Sequence, residues 1–357
     1  MRNHEVTREQ RLLDEKGNIG EPGWARRPLW AYDRADIRAP KWRIKEWDYY
    51  LVVHDGRPDG TESFAAAFTI SDDGYVGLQS VSFLLLEENS AWEHTETVLN
   101  VLPLGRLHLP NSSAAGDVRY KDKRLQMRFE KNAGERRLRC RFTDFFKEEP
   151  LFADIRLAQP EMDSMTIATP FAREGRFYYN QKINCLRASG AVRVGAKVYR
   201  FNPKLDFGTL DWGRGVWTYD NTWYWGNGNA VIDGHVVGWN IGYGFGDTSA
   251  ASENLLIVDG VAHKLDDLDF GIPGDVDPKK MDGPAYMEPW QMRSSDGRFE
   301  MRFVPILDRA AKMNFKAIVS DQHQVFGRMS GKAVLDDGKV LEFKDVLCFA
   351  EKVHNRY

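Results

Sequence analysis

Three apolar stretches decide the fold of this chain: Trp47-Asp-Tyr-Tyr-Leu-Val-Val53, Ser63-Phe-Ala-Ala-Ala-Phe-Thr-Ile70 and Tyr75-Val-Gly-Leu-Gln-Ser-Val-Ser-Phe83. Asp-Gly dipeptides stand in the short connections between them, at 55–56, 59–60 and 73–74. Asp-Gly is favoured in the tight turns of β-hairpins because both residues tolerate a positive φ. The stretches therefore predict three strands joined by hairpin turns.

The same pattern continues along the chain. Five further Asp-Gly dipeptides follow, at 233–234, 259–260, 282–283, 296–297 and 337–338. The segment Arg137-Leu-Arg-Cys-Arg-Phe142 alternates strictly, which predicts a strand with Leu138, Cys140 and Phe142 inward and a solvated arginine face. Only Val6–Glu15 and Asp308–Phe315 suggest short helical turns. Many short strands with few short helices predict an all-β protein of sandwich or barrel type.

The length of 357 residues exceeds the roughly 100 to 180 residues that one small barrel needs. We therefore expect two antiparallel β-barrels packed together. The weakest point between them lies in the segment 164–203. We place an N-terminal barrel with its extension at residues 1–187 and a C-terminal barrel at residues 188–357.

Charge and composition exclude several classes of partner. The formal net charge is −3, without the basic excess of a nucleic-acid-binding or anionic-membrane-binding protein. No apolar run approaches the roughly 18 residues of a membrane-spanning helix, and the charged start lacks the apolar core of a secretory signal. Three isolated cysteines, Cys140, Cys185 and Cys348, are expected to be reduced and buried. These features predict a cytoplasmic protein and leave the oligomeric state open.

Aromatic residues make up 12% of the chain, and five of its 11 tryptophans lie between positions 212 and 239. Strand alternation places Trp223 and Trp225 on one face and Tyr224 on the other. Such a patch either fills a barrel or lines a cavity for an apolar or uncharged small molecule. The candidate ligand-binding residues are Trp212, Trp217, Tyr219, Trp223, Trp225 and Trp239, together with Asn254.

Few charged residues interrupt this aromatic segment and its continuation. Asp211 and Arg214 bracket Trp212-Gly213, and Glu253 precedes an apolar strand. A carboxyl group among aromatic rings has a raised pKa and donates a proton near neutral pH, whereas a neighbouring arginine keeps it ionised. Asp211 with Arg214 is thus either a structural ion pair or part of a catalytic group. Glu253 is the better candidate for the protonated acid, with Asn254 orienting the substrate.

No motif for a metal or cofactor stands out. The eight histidines form no His-Glu-x-x-His or His-x-His pattern. The glycines of Gly242-Tyr-Gly-Phe-Gly246 lack the lysine and the following helix of a phosphate-binding loop. We therefore predict neither a metal nor a cofactor.

Several motifs resemble one family. They are Leu13-Asp-Glu-Lys-Gly17, Gly23-Trp-Ala-Arg-Arg-Pro28, Lys45-Glu-Trp-Asp-Tyr-Tyr50, Ala168-Thr-Pro-Phe171, Ala188-Ser-Gly-Ala-Val192, Asp211-Trp-Gly-Arg-Gly215, Gly244-Phe-Gly-Asp-Thr248 and Glu253-Asn254. Together they resemble the domain-of-unknown-function family 2804 over nearly the whole chain. That resemblance implies no established activity.

The glycine-containing hairpin at 190–201, followed by an Asp-Trp element, is distantly similar to the carotenoid 1,2-hydratase group. This resemblance implies two lipocalin-like (calycin) barrels in tandem, with a pocket at or near their junction. The Trp-x-Asp-His element of the hydratases is absent, since Gly213-Arg214 follows Trp212. Catalytic residues therefore cannot be transferred from that group.

These observations leave three hypotheses for the function. The first is an enzyme that performs acid-initiated hydration, cyclisation or isomerisation of an apolar, isoprenoid-like small molecule in the second barrel, with Glu253 or Asp211 as proton donor. The second is a non-catalytic lipid or small-molecule-binding protein. The third, less favoured, is a carbohydrate-active enzyme that uses the same two carboxyl groups. Whether the protein is an enzyme stays open at this stage.

Overall fold

The computed structural model describes residues 3–315 and 318–356. The described chain is almost entirely β-structure, with two short 3-10 turns at Arg34–Asp36 and Lys41–Arg43. Three short strands precede the main sheets: β1 (Gln10–Arg11), β2 (Gly23–Ala25) and β3 (Trp30–Ala31). β1 pairs with β3 in a small parallel sheet, and β2 joins the first large sheet.

The first large sheet contains β2 and twelve strands that follow in the sequence. They are β4 (Lys45–His54), β5 (Phe64–Asp72), β6 (Val76–Leu85), β7 (Trp92–Val101), β8 (Val118–Lys121), β9 (Leu125–Asn132), β10 (Glu135–Phe146), β11 (Glu149–Ala158), β12 (Met165–Pro170), β13 (Phe177–Val194), β14 (Lys197–Phe201) and β15 (Phe207–Val216). The main path through this sheet is β7-β6-β5-β4-β15-β13-β11-β10-β9-β8.

The second large sheet contains nine strands. They are β16 (Asp220–Ile232), β17 (His235–Tyr243), β18 (Leu255–Val258), β19 (Val261–Lys264), β20 (Leu268–Asp269), β21 (Trp290–Ser294), β22 (Phe299–Phe315), β23 (Ile318–Val334) and β24 (Val340–Arg356). Their order is β19-β18-β17-β16-β24-β23-β22-β21-β20.

Five of the eight Asp-Gly dipeptides, at 73–74, 233–234, 259–260, 296–297 and 337–338, lie in short connections between paired strands, whereas 55–56, 59–60 and 282–283 lie in longer connections. β4, β5 and β6 cover the three stretches that decided the fold, and they pair antiparallel in sequence order. At Asp233-Gly234, between β16 and β17, both turn residues have positive φ values of 51° and 84°. This is the backbone conformation that the dipeptide favours in a two-residue turn.

Both large sheets curl so that strands near their two ends contact each other through side chains. In the first sheet, Trp92 of β7 stacks on Phe146 of β10 with ring centroids 5.1 Å apart. In the second, Tyr243 of β17 packs edge-on against Phe270, which follows β20, at 5.4 Å. Each curled sheet encloses its own apolar core. The chain is therefore an all-β protein built from two antiparallel barrels.

The chain passes from the first sheet to the second between Val216 and Asp220. The boundary placed at residues 187 and 188 falls inside β13, which continues to Val194 and pairs with β11, β12, β14 and β15. The sheets thus divide about 30 residues later than the sequence suggested, because β14 and β15 complete the first sheet. We propose that the domains follow the sheets.

The two suggested helical turns are absent. Residues 308–315 form part of β22 and pair with β23, for example Asp308 with Val325. The segment 6–15 contains the short strand β1. Pairing with a long neighbouring strand outweighs a weak local helical pattern at the first site.

The two barrels pack against each other along the outer faces of β4, β5, β13 and β15 from the first and β16, β17, β23 and β24 from the second. All ten residues of β15 are buried, since this strand is covered on both sides. Buried amides contribute as well: Asn184 Nδ2 donates to Asn227 Oδ1 at 3.1 Å and to the carbonyl of Trp239 at 3.1 Å. The three cysteines are buried and unpaired, as expected.

Candidate functional site

A cavity of about 290 Å³ lies between the two barrels. Strands β4, β5, β6, β13 and β15 of the first sheet and β16, β22, β23 and β24 of the second contribute to its lining. Its aromatic wall is formed by Trp47, Tyr49, Tyr178, Trp217, Trp223, Trp225 and Phe245. A concave space that combines aromatic walls with converging polar groups is typical of a small-molecule site.

Strand alternation explains which side chains of β16 reach this cavity. Trp223 and Trp225 point out of the second barrel, into the cavity wall and the interface between the barrels. Tyr224, between them, packs into the barrel core against Tyr243, with stacked rings 4.2 Å apart. The predicted division of these three residues between two faces is confirmed.

A buried ion pair lies at the wall of the cavity. Lys182 Nζ of β13 is 2.8 Å from Asp211 Oδ1 of β15, and both side chains are at least nine-tenths buried. Asn180 Nδ2 donates to the same carboxylate oxygen at 2.6 Å. The ammonium group also lies 3.9 Å from the ring centroid of Trp225, in cation–π geometry. Asp211 is therefore held as an acceptor by two donors and is poorly suited to give up a proton.

Glu253 is the most unusual carboxyl group of the cavity. The residue is 6% exposed, and its carboxyl group makes no hydrogen bond or ion pair within the described residues. Burial raises the pKa of Glu253 from 4.5 to about 7, and the charge of Asp211 adds to the rise while Lys182 opposes it. With a pKa of about 7, this carboxyl group is about half protonated at neutral pH and can donate a proton there.

Glu351 of β24 is a second buried acid at the cavity, with a different environment. Burial raises the pKa of Glu351 to about 7, against the influence of two donors. Trp223 Nε1 donates to Oε1 at 3.0 Å, and Gln324 Nε2 donates to Oε2 at 2.9 Å. Gln324 in turn accepts from Arg309 Nη1 at 2.8 Å, which fixes its amide. Glu351 is thus oriented as an acceptor, which suits a group that receives a proton.

The predicted association of Asp211 with Arg214 does not form, because residues three apart on a strand point to opposite faces. Arg214 is fully buried inside the first barrel, where its Nη2 lies 3.0 Å from Asp48 Oδ1. Its Nη1 donates to the carbonyls of Trp47 and Gly213 at 2.8 and 2.9 Å. Arg214 is a structural residue of the first barrel and lies outside the cavity wall.

Four of the predicted ligand-binding residues also lie away from the cavity. Trp212 packs in the first barrel against Tyr179, and Trp239 is fully buried in the second barrel. Tyr219 is half exposed on the surface. Asn254 accepts from the amide of Gly242 at 2.6 Å and donates to the carbonyl of Asp266 at 2.8 Å, so its amide holds a loop.

The structure therefore brings together Glu253, Asp211, Trp217, Trp223 and Trp225 of the predicted residues. Sequence reasoning missed Lys182, Glu351 and Trp47. No local signal marks the two charged residues, since β13 also carries Arg187 and Arg193, and Glu351 is followed directly by Lys352 in a strand with several other charges. Nothing in the sequence shows that two strands so far apart meet at one cavity.

Two observations concern metal ligands and membrane-spanning helices. Within residues 3–315 and 318–356, no group of three His, Cys, Asp or Glu residues is arranged to hold a metal ion. In the same part of the chain, no helix is long and apolar enough to cross a membrane.

Fold and site define an all-β protein of two packed antiparallel barrels with an acidic, aromatic cavity between them. The chain belongs to the family described as a domain of unknown function, DUF2804, which matches residues 3–357. This confirms the resemblance noted in the sequence. No curated protein matches the chain significantly in sequence.

Solved structures with a similar course of the chain include two distant proteins. Kievitone hydratase from Nectria haematococca aligns with a TM-score of 0.48 and 10% identity, covering 91% of this chain and 92% of the other. A putative AttH from Nitrosomonas europaea aligns with a TM-score of 0.49 and 12% identity, covering 91% and 97%.

Proposed function

We propose that the protein is an enzyme that adds a proton to an apolar small molecule bound between the two barrels, and so starts a hydration, cyclisation or isomerisation. The observation that carries the proposal is Glu253, a buried carboxyl group with a pKa raised to about 7 and no bonding partner within the described residues. An acid of this pKa is close to the optimum for proton transfer near neutral pH.

In the proposed reaction, Glu253 transfers its proton to a carbon–carbon double bond or an equivalent electron-rich group of the substrate. The positive charge that develops lies near the aromatic rings of Trp217 and Trp223, and aromatic rings stabilise a cation. The Lys182–Asp211 pair adds little net charge, because the ammonium and the carboxylate compensate each other.

Glu351 completes the proton balance. In a hydration, water attacks the cation and loses one proton to Glu351; in an isomerisation or cyclisation, Glu351 takes the proton from a neighbouring carbon of the substrate. The donors Trp223 Nε1 and Gln324 Nε2 hold the Glu351 carboxylate in position for this step. Return of the proton from Glu351 to Glu253 through water restores both groups.

The alternative is a protein that binds an apolar ligand without changing it. The cavity volume of about 290 Å³ and the aromatic wall support binding as well as catalysis. Carbohydrate chemistry with Asp211 and Glu253 is not favoured, because Asp211 is occupied by Lys182 and Asn180.

The experiment compares wild type with Glu253→Gln, which keeps the shape of the side chain and removes the transferable proton. Each protein is incubated with an apolar extract of small molecules, and the extract is followed by untargeted mass spectrometry and chromatography. We expect wild type to convert at least one compound, with a gain of one water or an unchanged mass and a new retention time. Glu253→Gln should lose about 10²- to 10⁴-fold of this rate.

Arg137→Gln on the exposed face of β10 is the matched control, and it should behave as wild type. Native mass spectrometry of the same preparations identifies bound compounds. An identical, unconverted ligand in wild type and Glu253→Gln would overturn the enzymatic proposal in favour of the binding protein. Full conversion by Glu253→Gln would show that another group donates the proton.

A further inference from the structure

A second concave site lies on the far side of the segment that carries Trp217. It encloses about 310 Å³ and is formed where three connections meet: the turn before β4, the turn between β12 and β13, and the link between the barrels. Three arginines line it, Arg43, Arg173 and Arg176, together with Pro40, Trp42, Thr218 and Tyr219. One residue joins the two sites, because Arg43 Nη2 donates to the carbonyl of Trp217 at 2.9 Å.

The three guanidinium groups are not neutralised by the protein. None of them forms an ion pair with a carboxylate of the described residues, whereas most other arginines of the first barrel do. The Nε atoms of Arg43 and Arg176 are buried and have no hydrogen-bond acceptor in that part of the chain. The three arginines line the same site, and burial together with the positive charge of neighbouring arginines lowers the pKa of Arg43 and of Arg176.

Positive charges held together in this way destabilise one another unless an anion joins them. Guanidinium groups match carboxylate and phosphate oxygens in shape and supply several donors in fixed directions. The described part of the chain supplies no anionic partner for this cluster, so we expect the anion to come from a bound ligand.

Two aromatic rings beside the arginines point to what accompanies the anion. Trp42 is 49% exposed and Tyr219 is 48% exposed, although large aromatic side chains are usually well buried. Arg43 lies 5.4 Å from the ring centroid of Trp42. Exposed aromatic rings next to unneutralised charge are typical of surfaces that receive a ligand with an apolar part and a polar head.

We propose that Arg43, Arg173 and Arg176 bind the carboxylate or phosphate group of a small molecule whose aromatic or apolar body lies against Trp42 and Tyr219. This site is separate from the cavity and does not depend on the reaction proposed there. It is a binding site for an amphipathic anion at the junction of the two barrels.

Two fluorescent probes with similar aromatic bodies test the proposal: the anionic 8-anilinonaphthalene-1-sulfonate and the neutral N-phenyl-1-naphthylamine. Both are titrated into wild type and into the variant Arg173→Gln/Arg176→Gln. Arg173 lies in an exposed turn and Arg176 is half buried, so the variant should fold. Removing two charge-assisted contacts should weaken binding of the sulfonate by about tenfold or more. Binding of the neutral probe should change less than about twofold.

Arg137→Gln, which removes an arginine bonded to Asp154 on an exposed sheet face, is the control and should leave both titrations unchanged. Trp42→Ala should weaken binding of the sulfonate and leave any binding of inorganic phosphate intact. Unchanged sulfonate binding in the double arginine variant would overturn the proposal. If the double arginine variant loses binding of inorganic phosphate but still binds the sulfonate, the arginines form a site for free phosphate. That outcome would also overturn the proposal.

The side chain of Arg173 is exposed, so the single variant Arg173→Gln should fold, which its thermal midpoint checks. Its affinity for the sulfonate should fall less than that of the double variant. The neutral probe separates this proposal from that for the cavity. Suppose that the neutral probe binds to wild type but not to Trp225→Ala, and that the double arginine variant binds the sulfonate as wild type does. The cavity proposal would then stand, and the proposal for the arginine site would be wrong.

Discussion

Strand β16 borders two aromatic regions, the interior of the second barrel and the cavity between the barrels. Both contain a buried lysine–aspartate pair. In the barrel, Lys352 Nζ is bonded to Asp275 Oδ1 and to the carbonyl of Lys280, each at 2.8 Å, and Tyr224 donates to the other carboxylate oxygen. In the cavity, Lys182 and Asp211 are paired, but Glu253 has no partner within the described residues.

The two regions differ in how their polar groups are satisfied. Lys352, Asp275 and Tyr224 bond to one another beside a concave site of about 710 Å³, whereas Glu253 has no partner within the described residues. Deeper in the second barrel, around Trp239, apolar side chains fill the volume to the density of a protein core. Unsatisfied polar groups are costly in a core, so their presence beside a space indicates a function.

The largest expected difference is between two tryptophans. Trp239→Ala removes a fully buried ring from the filled barrel and should lower the free energy of unfolding by about 3–5 kcal/mol. Trp225→Ala should cost about 2 kcal/mol, since one side of the ring borders the cavity, while binding of the neutral probe is lost. Urea unfolding with fluorescence titration measures both. Equal losses of stability would contradict the contrast between a filled and an open region.

The next prediction concerns Lys182. Lys182→Met leaves Asp211 charged and buried without its cation, and it should lower the free energy of unfolding at pH 7 by about 3–5 kcal/mol. Adding Asp211→Asn should restore most of the loss, because it removes the uncompensated charge. A double variant that is no more stable than Lys182→Met would show that the pair is not the source of the effect.

The pH dependence of stability gives a test of similar size. Burial raises the pKa of Glu253 from 4.5 to about 7, so the folded protein binds an extra proton between these values and loses stability as the pH rises through them. The loss reaches at most about 3 kcal/mol for this group and stops above pH 7. The free energy of unfolding of Glu253→Gln, relative to that of wild type, should therefore be higher at pH 8 than at pH 5. An equal difference between the two proteins at both pH values would rule out the raised pKa.

The smallest effect is expected from two glycines on opposite sides of the comparison. A Cβ at Gly228 would meet the ring of Trp239 in the filled barrel at 2.2 Å, and one at Gly213 would meet the ring of Trp47 at the cavity at 1.9 Å. Gly228→Ala should cost about 1–3 kcal/mol, whereas Gly213→Ala should cost less because Trp47 has space to move. Gly213→Ala should also weaken binding of the neutral probe at the cavity. A more damaging Gly213→Ala would show that the wall around Trp47 is rigid.

Much of the fold was predictable from short-range patterns. The Asp-Gly turns and the apolar runs of β4, β5 and β6 are local signals: the three runs form strands, and five of the eight Asp-Gly dipeptides lie in short turns between paired strands. The alternation in β10 also held, because this strand has one buried and one wet face: Leu138 and Phe142 are buried. Arg137, on the other face, pairs with Asp154 across the sheet.

Strand β15 shows why other assignments could not be made. All of its residues are buried, so burial gives no period of two from which to assign faces. Asp211 and Arg214 are close in sequence but lie on opposite sides of the sheet, in the cavity wall and in the first barrel. Glu351 reaches the cavity only through pairing of β24 with β16, at a separation of more than 100 residues. Such long-range pairing leaves no mark in a single sequence.

The position of β15 has a consequence for synthesis of the chain. This strand lies between β4 and β13, so one edge of β4 stays unpaired until β15 is synthesised, roughly 160 residues later. At about 5–20 residues per second, β4 spends on the order of 8–30 s with one edge unpaired as the chain leaves the ribosome. An open edge of that kind invites pairing with another chain. Completion of the first barrel is thus set by the arrival of Phe207–Val216 rather than by the hairpins that precede it.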